Sequence, residues 1–290
     1  MSTHRIISGI ATIGLLFLTA TPAPADVFNF STGNPDGLIG TLSRPGTGGV
    51  LQTETADDFL LNSETILTSA TFTGLLPSGT ALSDITQVEI EFYHVFPNDS
   101  GPPSGNVLTR MNSPSDNEIA PATRDSLAGS LSFTASLLNS RFSVANTVVN
   151  GINNKTVGQF TGGEGPATGE EVRINVTFNT PVDLPADHYF FRPEVALADG
   201  NFLWLSAPKP IVDPGTPFNP DLQTWIRNDN LAPDWSRIGT DITHQGPFNA
   251  SFSLSGETVP EPSSIIIVAT GVVGLAVFCR RKRIGPPALE

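Results

Sequence analysis

Val88-Glu89-Ile90-Glu91-Phe92-Tyr93-His94-Val95-Phe96 alternates apolar and polar side chains with a period of two. Successive side chains leave a pleated strand on opposite faces. Val88, Ile90, Phe92 and Phe96 therefore share one face, with His94 among them, and Glu89, Glu91 and Tyr93 share the other. One dry face and one wet face mark a strand of an antiparallel sheet with a core on one side. The pattern recurs at residues 171–178, where Val172, Ile174, Val176 and Phe178 alternate with Arg173, Asn175 and Thr177. It appears a third time in Phe248-Asn249-Ala250-Ser251-Phe252-Ser253-Leu254. Weaker strand signals fall at 57–61, 66–73, 130–138, 142–149, 189–197, 202–206 and 222–227. No part of 26–259 carries a helical stripe of period 3.6. The pattern predicts an all-β fold of about ten strands, an antiparallel β-sandwich that is jelly-roll-like.

Composition agrees with many short strands joined by turns: the chain has 27 glycines and 25 prolines in 290 residues. Three stretches read as long loops, 97–125, 161–170 and 207–220, the last with Pro208, Pro210, Pro214, Pro217 and Pro220. No linker divides the body, so residues 26–259 are expected to form one domain with a sizeable core. That body has 26 acidic and 10 basic side chains, a net of −16. Such a surface repels nucleic acid and anionic lipid, which excludes phosphate-backbone partners. Cys279 is the single cysteine and lies outside the body, which excludes disulfides, thiolate metal sites and a cysteine nucleophile there.

The two ends have a different character. Residues 1–25 have the parts of a secretory signal peptide: a positive start at His4 and Arg5, an apolar run over 6–18, and Ala23 and Ala25 at a cleavage site before Asp26. Residues 265–279 are apolar and uncharged, and Arg280-Arg281-Lys282-Arg283 follow. The 17 residues 263–279 would reach roughly 25 Å as a helix, near the lower limit for a transmembrane span. The basic cluster would hold that end in the cytoplasm, leaving 26–259 across the membrane.

Val259-Pro260-Glu261-Pro262-Ser263-Ser264, the apolar run and the Arg-rich end together resemble the PEP-CTERM sorting signal of Gram-negative bacteria. The resemblance covers the segment 260–290 and carries the recognition role onto Pro260, Glu261 and Pro262. It implies handling by an exosortase, a membrane-embedded sorting enzyme. It also implies export to the cell envelope, cell surface or extracellular matrix, commonly in bacteria that make exopolysaccharide. Residues 284–290 run on past the basic cluster, where such signals often stop sooner. Within the body, Thr55-Ala56-Asp57-Asp58-Phe59, with 66–74 and 248–256, resembles a loosely defined group of exported β-sandwich segments with no single known activity.

Chemistry is sparse. His94, His188 and His244 share no metal-ligand spacing, and no Gly-x-Ser-x-Gly elbow occurs. His94, on the apolar face of its strand, reads as a core histidine. Glu89 and Glu91 share a strand face, as a glycosidase pair would, but a solvated outer face explains them more simply. Asp57-Asp58, Asn98-Asp99 and Asn228-Asp229-Asn230 are oxygen-rich without the spacing of a calcium loop, so structural calcium is the one cofactor the pattern allows. Trp204, between Phe202, Leu203 and Leu205, reads as core. Trp225 and Trp235, beside Asp229 and Asp234, read as candidates for a glycan-stacking platform in contact with exopolysaccharide.

The sequence thus predicts a non-enzymatic exported surface or matrix protein, structural or adhesive, held by its C-terminal span until processing. A carbohydrate-binding module and a secreted glycoside hydrolase are the alternatives.

Overall fold

The computed structural model describes residues 25–46, 49–98, 105–152 and 160–260. The predicted signal peptide up to residue 24, Asp99 and the sorting segment beyond Pro260 lie outside the described residues. No helix among the described residues is long and apolar enough to cross a membrane.

Among the described residues fifteen strands follow in chain order: β1 (Val27–Ser31), β2 (Ile39–Leu42), β3 (Thr53–Leu60), β4 (Thr65–Leu76), β5 (Ile85–His94), β6 (Arg124–Asp125), β7 (Leu131–Val144), β8 (Asn146–Val148), β9 (Ala167–Leu184), β10 (His188–Leu197), β11 (Leu203–Ala207), β12 (Trp225–Asn228), β13 (Ser236–Arg237), β14 (Asn249–Ala250) and β15 (Phe252–Thr258). They form two open sheets. The six-stranded sheet runs β13-β12-β3-β10-β5-β6. In the nine-stranded sheet β1, β15, β4, β9 and β7 lie side by side, with β11, β2, β8 and β14 attached beyond. All pairings are antiparallel except β2 with β8.

The core lies between the sheets and is built by the predicted alternation. Val88, Ile90 and Phe92 of β5 meet Val172, Ile174, Val176 and Phe178 of β9, all buried. Aromatic rings span the gap: Phe191 stacks on Phe252 at 4.9 Å, and Phe92 meets Phe178 edge-on at 6.3 Å. Trp204 sits in the same cluster with no exposure, as expected, its indole N–H donating to the Ser251 carbonyl at 2.9 Å. Gly74 of β4 is required by Phe202, since a Cβ there would come within 2.1 Å of the ring. Gly74→Ala should cost about 2 kcal/mol through overpacking. At roughly 2–4 °C per kcal/mol for a body of this size, thermal unfolding followed by circular dichroism should show a midpoint about 5 °C lower.

Three expectations are corrected. The weak signals at 130–138 and 142–149 belong largely to one strand, β7, which bends at bulges near Asn139 and Phe142. His94 is not a core residue: β5 ends there, its ring is 37 % exposed, and its Nδ1 lies 3.2 Å from Asp187. Most important, the outer face of β5 is not wet. Residues 113–119 run along its edge, with Ser115 N–H donating to the His94 carbonyl and Ile119 N–H to that of Phe92. The loop after Val95 and the segment around Trp235 together cover Glu91 and Tyr93, which are 8 % and 1 % exposed.

Candidate functional site

Cross-strand register decides what lies on the covered face. Arg192 is opposite Glu91, Glu194 opposite Glu89, and Arg227 opposite Glu54. Two guanidinium groups thus sit among four carboxyls. Arg192 contacts Glu91, lies 2.7 Å from Glu194 and 3.2 Å from Glu54, and has Glu89 at 4.0 Å. Arg227 pairs with Glu54, and its guanidinium lies 4.4 Å above the Trp235 ring. The Tyr93 hydroxyl, 2.6 Å from Glu91 and 2.9 Å from Glu54, accepts from Arg227 Nη2 at 3.1 Å. A second clasp holds the cover: buried Arg110 donates through Nη1 to Asp234 at 2.8 Å and lies over the Phe96 ring.

The charges are balanced by protonation. Burial pushes Glu54 up, but Arg192 and Arg227 outweigh it and hold the carboxyl below its ordinary value. For Glu194 burial wins over Arg192, and the carboxyl is pushed up to about 8. Glu89 is raised to about 7 by burial and by its hydrogen bond with Glu91. Near neutral pH the network therefore holds fewer negative charges than carboxyl groups, which reduces the cost of burying it.

This arrangement explains where the sequence-predicted residues fall. Glu89 and Glu91 do share a face, but Arg192 binds them there, and none of the four cavities described below is lined by either. Trp225 and Trp235 are 1 % and 0 % exposed. Neither ring can offer a flat face to a sugar, so the platform read from the sequence does not form. Asp234 is buried on Arg110, whereas Asp229 is exposed and accepts from the Gln52 N–H at 3.0 Å. Arg110, Arg192 and Arg227, which organise the interior, escaped sequence reasoning. The available signal was Arg192 between Phe191 and Pro193, on the parity opposite to the core.

Asp57 and Asp58 are both buried, on opposite faces of β3. Asp57 joins the two sheets, accepting from Ala250 N–H at 2.8 Å and from the Thr224 hydroxyl at 3.2 Å. Asp58 meets His188 Nε2 at 2.7 Å and accepts from Leu222 N–H. Burial raises both carboxyls. Among the described residues no group of three or more His, Cys, Asp or Glu is placed to hold a metal ion.

Four of the surface cavities lined by the described residues stand out. One of about 450 Å³ lies under the proline-rich loop, between Lys209, Ile211, Phe218 and Asp221. Its single cation is already engaged, Lys209 being 2.9 Å from Asp221. Two of about 280 and 350 Å³ flank residues 195–203 and 75–77. The fourth, about 210 Å³, is set into the outer face of the nine-stranded sheet where β1, β15, β4 and β9 lie, beside Arg173 and Asn175.

The ends of the body meet. β1 pairs with β15 from Val27 opposite Glu257 to Ser31 opposite Ser253, and Thr258 N–H donates to the Asp26 carbonyl at 2.9 Å. Val259 N–H is still bound, to the Glu64 carbonyl at 2.8 Å, and Pro260 comes next. The compact unit ends at Val259. No curated protein and no solved structure matches the chain. A family model for the PEP-CTERM protein-sorting motif matches residues 258–283. The chain thus carries a PEP-CTERM sorting motif that starts on its last strand, and the motif implies export and envelope-associated handling by an exosortase.

Proposed function

We propose that this is a non-enzymatic exported protein with a structural or adhesive role in the envelope or biofilm matrix, parted from a C-terminal membrane span by an exosortase. The PEP-CTERM match directly behind β15 carries the reading. Support comes from the body, whose most crowded ionisable groups, Glu54, Glu89, Glu91 and Glu194, are bound to buried arginines rather than facing a cleft. The hydrolase reading has no such support. We also read the connectivity as a jelly roll. The strand orders β1-β15-β4-β9 and β3-β10-β5-β6 favour it, because successive long strands β3, β4 and β5 alternate between the sheets.

Intact-mass analysis of the protein from its producing cells tests the sorting half. The expected product begins at Asp26 and ends near Glu261. A product that retains residues 265–279 would make it an ordinary single-span membrane protein.

A further inference from the structure

We propose that the outer face of β1, β15, β4, β9 and β7 in the nine-stranded sheet binds a linear, uncharged polysaccharide laid across these strands. The inference rests on the adhesive reading for its setting and names the partner class.

Register aligns this face into rows. Asn29, Ser255, Ser69, Thr177 and Ser132 stand opposite one another across β1, β15, β4, β9 and β7. Two residues further on, Ser31, Ser253, Thr71, Asn175 and Thr134 form a second row across the same strands. All ten are exposed or half-buried. Neighbouring strands lie roughly 4.8 Å apart, so each row places a hydroxyl or amide at about that step over some 19 Å. The step is close to the length of one pyranose unit in an extended chain.

A polar outer face is ordinary for an antiparallel sheet. The absence of charge in the two rows is not ordinary in a body of net −16. Every one of the ten side chains is Ser, Thr or Asn; the row beyond on one side contributes exposed Arg173, whose charge acts on the Glu171 carboxyl, and the row on the other side contributes Glu257 and Asp183. Hydroxyls and amides both donate and accept, which suits a polyol whose hydroxyls point in several directions. A carboxylate or phosphate ligand would call for a cluster of guanidinium or ammonium groups, and the face has one. The polar cavity of about 210 Å³ lies between the rows and Arg173, lined by Thr71, Thr73, Asn175 and Ser253, and is of a size to seat a single sugar ring.

The test is affinity electrophoresis of the full-length chain in detergent. The gels contain dextran, galactomannan, xylan or a soluble cellulose, and are compared with alginate, pectate and empty gels. Retardation is expected in at least one neutral gel, and Arg173→Gln/Asn175→Ala/Thr177→Val should weaken it at least fivefold. Arg141→Gln, on β7 outside the rows, should leave it unchanged, and unfolding midpoints within a few degrees of one another establish that all variants are folded. The proposal is overturned by no retardation in any neutral gel, by equal retardation of the triple variant, or by retardation in the polyuronate gels alone. Intact mass on material from producing cells reports sorting independently, so either reading can fail without the other.

Discussion

Arg192→Met is expected to destabilise the body by about 3–5 kcal/mol, because it strips the shared cation from a buried group of carboxyls while leaving them in place. Arg192 is 1 % exposed and reaches Glu54, Glu91 and Glu194 at once. Methionine preserves most of the volume, so the loss is electrostatic rather than a cavity. With a 234-residue body the midpoint of thermal unfolding should fall by roughly 10 °C. Replacing the carboxyls as well, with Glu91→Gln and Glu194→Gln, should recover a large part of the loss. A single Arg192→Met variant with an unchanged midpoint would remove Arg192 from its central role.

Stability should also fall as the solution is made alkaline. Glu194 titrates near 8 in the folded protein against an ordinary value of 4.5. The folded state therefore keeps a proton that the unfolded chain releases above 4.5. Its contribution is full below pH 4.5 and is lost as pH rises through 8, up to about 5 kcal/mol. Asp57 and Asp58, also raised by burial, act in the same direction. Glu54 is lowered and acts in the opposite sense, contributing stability above 4.5 and losing it as pH falls through its folded value. The two limbs place the maximum at weakly acidic pH. Urea midpoints at pH 5, 7 and 9 should descend in that order, and Glu194→Gln should flatten the alkaline limb. Wild-type midpoints that stay level from pH 5 to 9 would show that no buried proton is held.

What could be read from the sequence was the side of each strand that faces the core. Val88, Ile90 and Phe92, and likewise Val172, Ile174 and Val176, are inside as their alternation requires, because burial against the opposite sheet acts at every second residue. What covers the other side of a sheet could not be read. The segments over Glu91 and Tyr93 are loops without a period, and their anchors, Arg110 to Asp234 and Trp235 to the Ser115 carbonyl, span more than a hundred residues of sequence. Hence Trp225, on a weak strand signal close to Asp229, and Trp235, in a loop beside Asp234, looked exposed and are interior. The short edge strand β1 was missed for a related reason. Val27-Phe28-Asn29-Phe30-Ser31 gains its partner, β15, from the far end of the body. The hydroxyl rows were invisible too, since no single strand contains more than a few of their members.

The pairing of β15 between β1 and β4 also determines how the body would answer to load. A force transmitted through Val259 enters along the axis of β15, which hydrogen-bonds to β1 on one side and β4 on the other. Both ladders are then sheared, all their bonds bearing tension together, instead of being opened one at a time from an end. The proposed ligand face is carried by the same strands, so traction between a held polymer and a tethered C-terminus would be borne within one sheet. The covered, ion-paired sheet behind it would remain unloaded.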